Sequence, residues 1–298
     1  MQIPLIQWSE SRVKILRECK RRYYYYYFLS DQGWLKSSSE ECRKAYLLKK
    51  ITNGYMWAGT VVHDVIQSMI DNNTYALELA QTKATQKFNA GVTESRTKGW
   101  KQNISKGTNL AEHYYGDKFD PNYYIQRIDR CLKALFKSKI FAHIQTLNDN
   151  DKITVEEFQN FSLNTNEIVS VKMDFAFRAK DNVYIVDWKT GKHNQSVKDQ
   201  LRTYGMFALK NGWTKNVKNI VMLPVFLGEQ DANKIEIPLR TDMSDLIKQA
   251  DIIRKEWPLL VDAQNSRNDI SKFPITDNVR SCISCHFREM CEGADRLK

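Results

Sequence analysis

Apolar residues recur along this chain with two periods, and the change between them divides it. From Ser9 to about Leu29, and again over residues 44–75, they fall three and four apart, the spacing of an amphipathic helix. Ser9 or Ser11 can begin the first helix, since a hydroxyl at that position accepts from an otherwise unpaired backbone N–H. A serine-rich, charged stretch follows through Arg43, and helical spacing returns around residues 120–146. Between these helices, Val92 to Thr108 is polar and punctuated by Gly99 and Gly107, which predicts a mobile lid carrying Lys98, Lys101 and Lys106. Residues 152–190 read as three strands, 196–211 as a helix and 218–227 as a strand, where Pro224 argues for an edge or irregular position. A short strand near Lys234 to Leu239 and a helix near Asp242 to Glu256 precede a cysteine-bearing tail.

Chemistry concentrates in the strand Val183–Lys189. Residues two apart in a strand share a face, so Asp187 and Lys189 converge while Trp188 points away and offers its backbone carbonyl between them. A carboxylate that holds a divalent cation beside an ammonium that can orient water is a pairing suited to phosphodiester hydrolysis. The preceding strand carries Asp174 and returns through Lys180, Asp181 and Asn182. A two-residue turn at Lys180–Asp181 sets Asp174 opposite Asp187, and one at Asp181–Asn182 sets it opposite Lys189. Two helices add to this set. Gly59 and His63 stand four apart, as do Gln200 and Tyr204, so each pair shares a helix face.

The order Gly59-x-x-x-His63, Asp174, Asp187-x-Lys189-Thr190-Gly191, Gln200-x-x-x-Tyr204 resembles the RecB-like branch of the PD-(D/E)XK nuclease superfamily. The resemblance implies an α/β, restriction-endonuclease-like core, a mixed central sheet flanked by helices, with a helical insertion. It implies His63, Asp174, Asp187 and the Trp188 carbonyl as ligands of Mg or Mn, Lys189 as the catalytic lysine, and Gln200 and Tyr204 as a supporting helix motif. Ser170, Val171 and Lys172 stand where that branch commonly has a glycine before its first acid.

Of the six cysteines, Cys282, Cys285 and Cys291 form a C-x2-C-x5-C group that suits metal ligation better than a disulfide framework. The segment Trp8 to Tyr23, with Cys19, resembles the N-terminal segment of iron-sulfur members of the same branch, AddB-type repair subunits and CRISPR-associated adaptation exonucleases; Lys20 replaces their usual proline. That resemblance implies a [4Fe-4S] cluster on Cys19, Cys282, Cys285 and Cys291, a clasp joining the N- and C-termini. Zinc on Cys282, Cys285, His286 and Cys291 is the competing reading, disfavoured because adjacent residues reach two vertices of one tetrahedron poorly. Cys42 and Cys131 read as inert thiols.

Composition changes the picture in one respect. With 298 residues and 42% hydrophobic content the chain can build a sizeable core, and its formal charge of +10 favours a polyanionic partner. Cations precede rings in Arg17, Lys20, Arg21 and Arg22 followed by Tyr23 to Phe28, where helical spacing puts most rings in the core. Arg21, Arg22, Lys192 and Tyr204 are the candidate nucleic-acid contacts. The expected organisation is an N-terminal helical part (1–75), a helical insertion or cap (76–150), the core sheet with its helices (151–262) and an iron-sulfur tail (263–298). Without a leader or apolar span, cytoplasmic residence is expected and a membrane partner is not. The function expected is a metal-dependent DNA nuclease, an exonuclease on single strands or ends in repair, recombination, phage metabolism or defence, with a helicase or other repair or defence subunit as partner. The alternative is a non-catalytic DNA-binding or assembly subunit that keeps the fold.

Overall fold

Ser9 does cap the first helix. Its hydroxyl accepts from Arg12 N at 3.3 Å, and α1 runs Glu10–Glu18. The structure, a computed structural model, describes residues 6–155, 158–192, 197–229 and 231–297. The expected single helix to Leu29 breaks at Cys19, which turns to φ −163° and caps α2 (Lys20–Tyr24) through its sulfur; a π-helical turn, Tyr25–Leu29, follows. Then come α3 (Glu40–Lys50), α4 (Gly54–Asp71), α5 (Leu77–Arg96), α6 (Ala111–Tyr115), α7 (Pro121–Lys137) and α8 (Lys139–Ile144). The strand region holds β1 (Lys152–Val155), β2 (Phe158–Ser162), β3 (Ile168–Lys172), β4 (Phe175–Ala179) and β5 (Asn182–Lys189). It continues with α9 (Val197–Lys210), β6 (Ile220–Phe226), α10 (Ala232–Ile235), β7 (Leu239–Arg240), α11 (Met243–Asn265) and α12 (Val279–Ile283).

The chain divides into two units assembled from separated stretches, where the sequence was read as consecutive segments: Met1–Gly54 with Gly91–Phe119 and Lys255–Lys298, and Tyr55–Ala90 with Asp120–Arg254. The second unit contains a mixed sheet ordered β1-β4-β5-β6-β7, in which only β5 and β6 are parallel. Parallel neighbours need a crossover, and α9 lies in it. All seven residues of β6 are buried, as expected where helices cover both faces. β2 and β3 form a separate antiparallel pair.

Three expectations are corrected. The segment read as one strand through Asp174 is two, because after Met173 the chain leaves β3 and enters β4, where Phe175, Ala176 and Phe177 are buried in succession. Pro224 holds an irregular position, as expected, although its strand is interior to the sheet. Its carbonyl accepts from Ile237 N, so the missing N–H faces the same side, where β7 pairs only at Val221 and Met222. Lys234 to Ile235 close a helical turn in place of a strand, and α11 runs past Glu256 through Pro258 to Asn265.

The expected lid is an anchored segment of the first unit. α5 continues to Arg96, Trp100 is 5% exposed, Thr108 N donates to Glu94 Oε2 and Leu110 N to Ser95 Oγ, each at 2.9 Å. Gly107 is there because a Cβ would stand 2.6 Å from Trp100 Cα. In the same unit Trp8 is buried and donates at 2.7 Å to Glu256, which also pairs with Arg17. The tyrosine run packs differently from its helical spacing, which sets Tyr23, Tyr26 and Tyr27 on the core face. Tyr23 and Tyr25 are buried and Tyr26 and Tyr27 half-buried, because the helix gives way to a π-turn at Tyr25, with Phe273 and Phe287 against neighbouring rings.

Candidate active site and cysteine cavity

The β4–β5 hairpin turns on Lys180 and Asp181, Lys180 taking φ 53°, and pairs Phe175 with Val186 and Ala179 with Asn182. Continued by one residue, this register sets Asp174 opposite Asp187, the first of the two alternatives. Asp174 lies just beyond the end of β4, where its Oδ2 accepts from Trp188 N at 2.7 Å. Because N–H and C=O of an extended residue point to one side, the Trp188 carbonyl shares that edge. His63 Nδ1 stands 3.5 Å from Asp174 Oδ1, so α4 brings its imidazole to the same spot. Gly59, one turn earlier, allows the approach; a Cβ there would meet Thr190 Oγ1 at 3.3 Å.

Asp187 is 1% exposed, and Lys189 Nζ stands 2.7 Å from its Oδ2. The ammonium lies off the line of a hydrogen bond, so that buried oxygen is left with a charge partner and no aligned donor. Burial pushes the Asp187 carboxyl up to about 6, against the pull of Lys189; Asp174 adds to the rise. Lys189 in turn donates to Gln200 Oε1 at 3.1 Å, Gln200 Nε2 to Tyr204 OH at 2.5 Å, and Tyr204 OH to the Lys172 carbonyl at 2.6 Å. A chain of side chains thus runs from Asp187 to the end of β3, two residues before Asp174. The donor set suits a hard cation: two carboxylates, one with an orphaned buried oxygen, an imidazole and a carbonyl.

The four cysteines expected to act together, Cys19, Cys282, Cys285 and Cys291, line one cavity with Arg22 and Phe287. Burial pushes the Cys285 thiol up to about 11, while Arg22 pulls it down. No clear iron-sulfur site is formed. Among the described residues no three His, Cys, Asp or Glu side chains stand close enough to hold one ion, here or at Asp187.

Two expected nucleic-acid contacts, Arg21 and Tyr204, need correction. Arg21 is 9% exposed and committed inward, Nε donating to the Phe273 carbonyl and Nη1 to Glu292, both at 2.8 Å. Arg22 lines the cysteine cavity and pairs with Glu18 while its side chain stays 32% exposed. Tyr204 is 4% exposed, so its hydroxyl positions Lys172 and its ring does not meet a base. Lys192 is exposed.

Sequence reasoning missed Arg127, whose Nη2 donates at 2.7 Å to the carbonyl of Thr190, next to Lys189. A contact to a backbone carbonyl leaves no motif to find. It also missed Gly228. A Cβ there would stand 2.6 Å from Thr190 O, while Leu227 N donates to Lys189 O at 2.7 Å and Gly228 N to Gly191 O at 3.2 Å. Gly228→Ala is expected to push the end of β5 out of line, costing roughly 1–3 kcal/mol in urea unfolding and lowering any cleavage activity. A variant as stable as the parent would refute that account.

A mixed sheet that delivers two acids and a lysine, with an imidazole from a preceding helix, is a side-chain set suited to metal-dependent phosphodiester chemistry. The chain matches the PD-(D/E)XK nuclease superfamily over residues 7–292 and belongs to it. Members generally hydrolyse phosphodiester bonds with Mg or Mn, although some are inactive. Among solved structures the chain is similar to a protein from Eubacterium rectale described as a "Putative exonuclease", at 8% identity and a TM-score of 0.43, over 98% of this chain and 94% of that one. No curated protein matches. Among the described residues no helix is long and apolar enough to cross a membrane.

Proposed function

We propose that this chain is a metal-dependent DNA nuclease of the RecB-like branch, acting on single strands or DNA ends. The observation that carries the reading is the buried Asp187 oxygen without an aligned donor, beside a lysine oriented by Gln200 and Tyr204. Asp174, Asp187, His63 and the Trp188 carbonyl would hold Mg or Mn. Such an ion supplies a water of lowered pKa and charge neutralisation at the phosphate. Lys189, held in place by Gln200, would orient an attacking water and meet the charge that develops on the phosphate. Arg127 fixes the strand end through Thr190.

The [4Fe-4S] cluster belongs to the same proposal, with Cys19, Cys282, Cys285 and Cys291 as ligands and a structural role. The shared cavity supports it. Reduced thiols of this kind suit a cytoplasmic compartment, and a helicase or another repair or defence subunit is the partner class proposed.

The test is cleavage of end-labelled single- and double-stranded DNA with Mg or Mn by anaerobically purified protein, beside Asp187→Ala. Products from wild type alone support the proposal; binding without cleavage by either favours the non-catalytic subunit.

Protons should compete with the metal. Burial pushes the Asp187 carboxyl up to about 6, above the ordinary carboxylate range, which favours a proton there in the metal-free protein at lower pH. Apparent metal affinity is expected to fall by up to about tenfold per pH unit below 6, with release of up to about one proton on binding near pH 5. Calorimetry in buffers of different ionisation enthalpy reads this directly; no proton release at pH 5 would contradict it.

A further inference from the structure

Two tyrosines stand exposed on helices of the second unit, and one lies on the stripe that leads to His63. Tyr55, Gly59 and His63 are spaced four apart on α4, so they follow one another along one face. Eight residues of helix span about 12 Å, the reach of about three nucleotides of a partly stacked strand. Tyr55 is 50% exposed and Tyr123, on α7, is 42% exposed. Their rings meet at 74° with centroids 5.8 Å apart, and their hydroxyls are 3.2 Å apart. The two rings form an open corner. Tyr124 packs beside it, buried and nearly perpendicular to both rings at 5.3 and 5.2 Å, with Phe88 6.0 Å from Tyr124.

The corner is joined to the catalytic strand. Arg127 lies 5.4 Å from the Tyr55 ring centre while its Nη2 holds the Thr190 carbonyl. Gly59 seats the helix against the same Thr190. Neighbouring Met56, 57% exposed, extends the apolar surface. Rings this exposed, fixed by buried aromatics and adjoining a guanidinium in a chain of charge +10, fit unpaired bases on a phosphate backbone. A duplex keeps its base faces covered and gains nothing from them.

We infer that Tyr55 and Tyr123 form a base-stacking corner that binds unpaired nucleotides of the DNA single strand about three positions from the phosphate at Asp187. The inference rests on the nuclease reading for the location of that phosphate. The corner selects single strands over duplex and sets the distance between a strand's held bases and its cut.

The test uses the full chain with a fluorescent single-stranded oligonucleotide and a blunt duplex, measured by anisotropy in EDTA so that no cleavage intervenes. Tyr55→Ala/Tyr123→Ala is expected to weaken single-strand binding roughly tenfold to a hundredfold and leave duplex binding unchanged. Tyr55→Phe/Tyr123→Phe should bind within about twofold of wild type, since the ring face and not the hydroxyl is used. An abasic site moved along the oligonucleotide should weaken wild type at one or two positions and leave the alanine variant indifferent. Equal single-strand affinity in the alanine variant, or equal loss on both substrates, overturns the corner. If wild type shows the abasic response yet cuts nothing, the nuclease reading falls and the corner stands; if it cuts and the tyrosine variants bind normally, the reverse holds.

Discussion

Asp187→Asn is expected to abolish metal-dependent cleavage, by on the order of a thousandfold or more, while leaving the metal-free protein at least as stable as its parent. The two effects have one cause. Asp187 is almost fully buried, and burial is the largest influence raising its carboxyl to about 6. Between about pH 4 and 6 the native protein therefore holds a proton that the unfolded chain has lost, so metal-free stability falls as pH rises across that window and the cost persists above it. Lys189 offsets only part of the cost, and one oxygen still lacks an aligned donor. An amide of the same shape removes the buried charge, but it gives a cation one neutral oxygen in place of a carboxylate. Urea unfolding at pH 7.5 in EDTA should show the variant equal or more stable, and end-labelled DNA with Mg or Mn should remain uncut. A variant that cuts like its parent would remove Asp187 from the chemistry. One that is several kcal/mol less stable would make its role structural.

That residue was legible because strand parity is a strong rule. Two positions apart means one face, and this joined Asp187 to Lys189 whatever the register. The partner acid was legible only as two alternatives, which differ by where the turn starts; Lys180 at φ 53° decided it, and nothing in its side chain announces that conformation. Helical spacing likewise paired Gln200 with Tyr204 but could not say what either touches. Tyr204 was assigned to DNA because an aromatic hydroxyl can serve it, yet a ring 4% exposed with a backbone carbonyl as partner serves the end of β3. Arg21 failed for a related reason. Its charge predicts surface, but a guanidinium can be buried when Phe273 and Glu292 receive its donors. The supposed lid failed because polar composition says nothing of local anchors: Glu94, Ser95 and Trp100 hold it from inside the stretch itself.

Cys285→Ser is expected to have the largest effect on stability. Residues 19 and 282–291 lie near opposite ends of the sequence, so a group that ties them restricts the unfolded chain by up to about 5 kcal/mol in the loop-closure picture. Cys285 is pushed up to about 11 by burial, with Cys291 and Cys19 adding to the rise, so a cation bound there would have to displace its proton. Anaerobic wild type should be brown and contain iron and sulfide in [4Fe-4S] proportion. Cys285→Ser should lose the colour and most of the iron and melt far earlier, whereas Cys42→Ser and Cys131→Ser should keep both. Metal content separates the competing site. Zinc without iron, lost on changing His286 as well as Cys285, would assign a tetrahedral ion on Cys282, Cys285, His286 and Cys291; burial already holds the His286 imidazole neutral, its value pushed down to about 4, as a ligand requires. If neither metal is present and Cys285→Ser melts with the parent, the four cysteines are ordinary packing thiols and the first unit is held by its core alone.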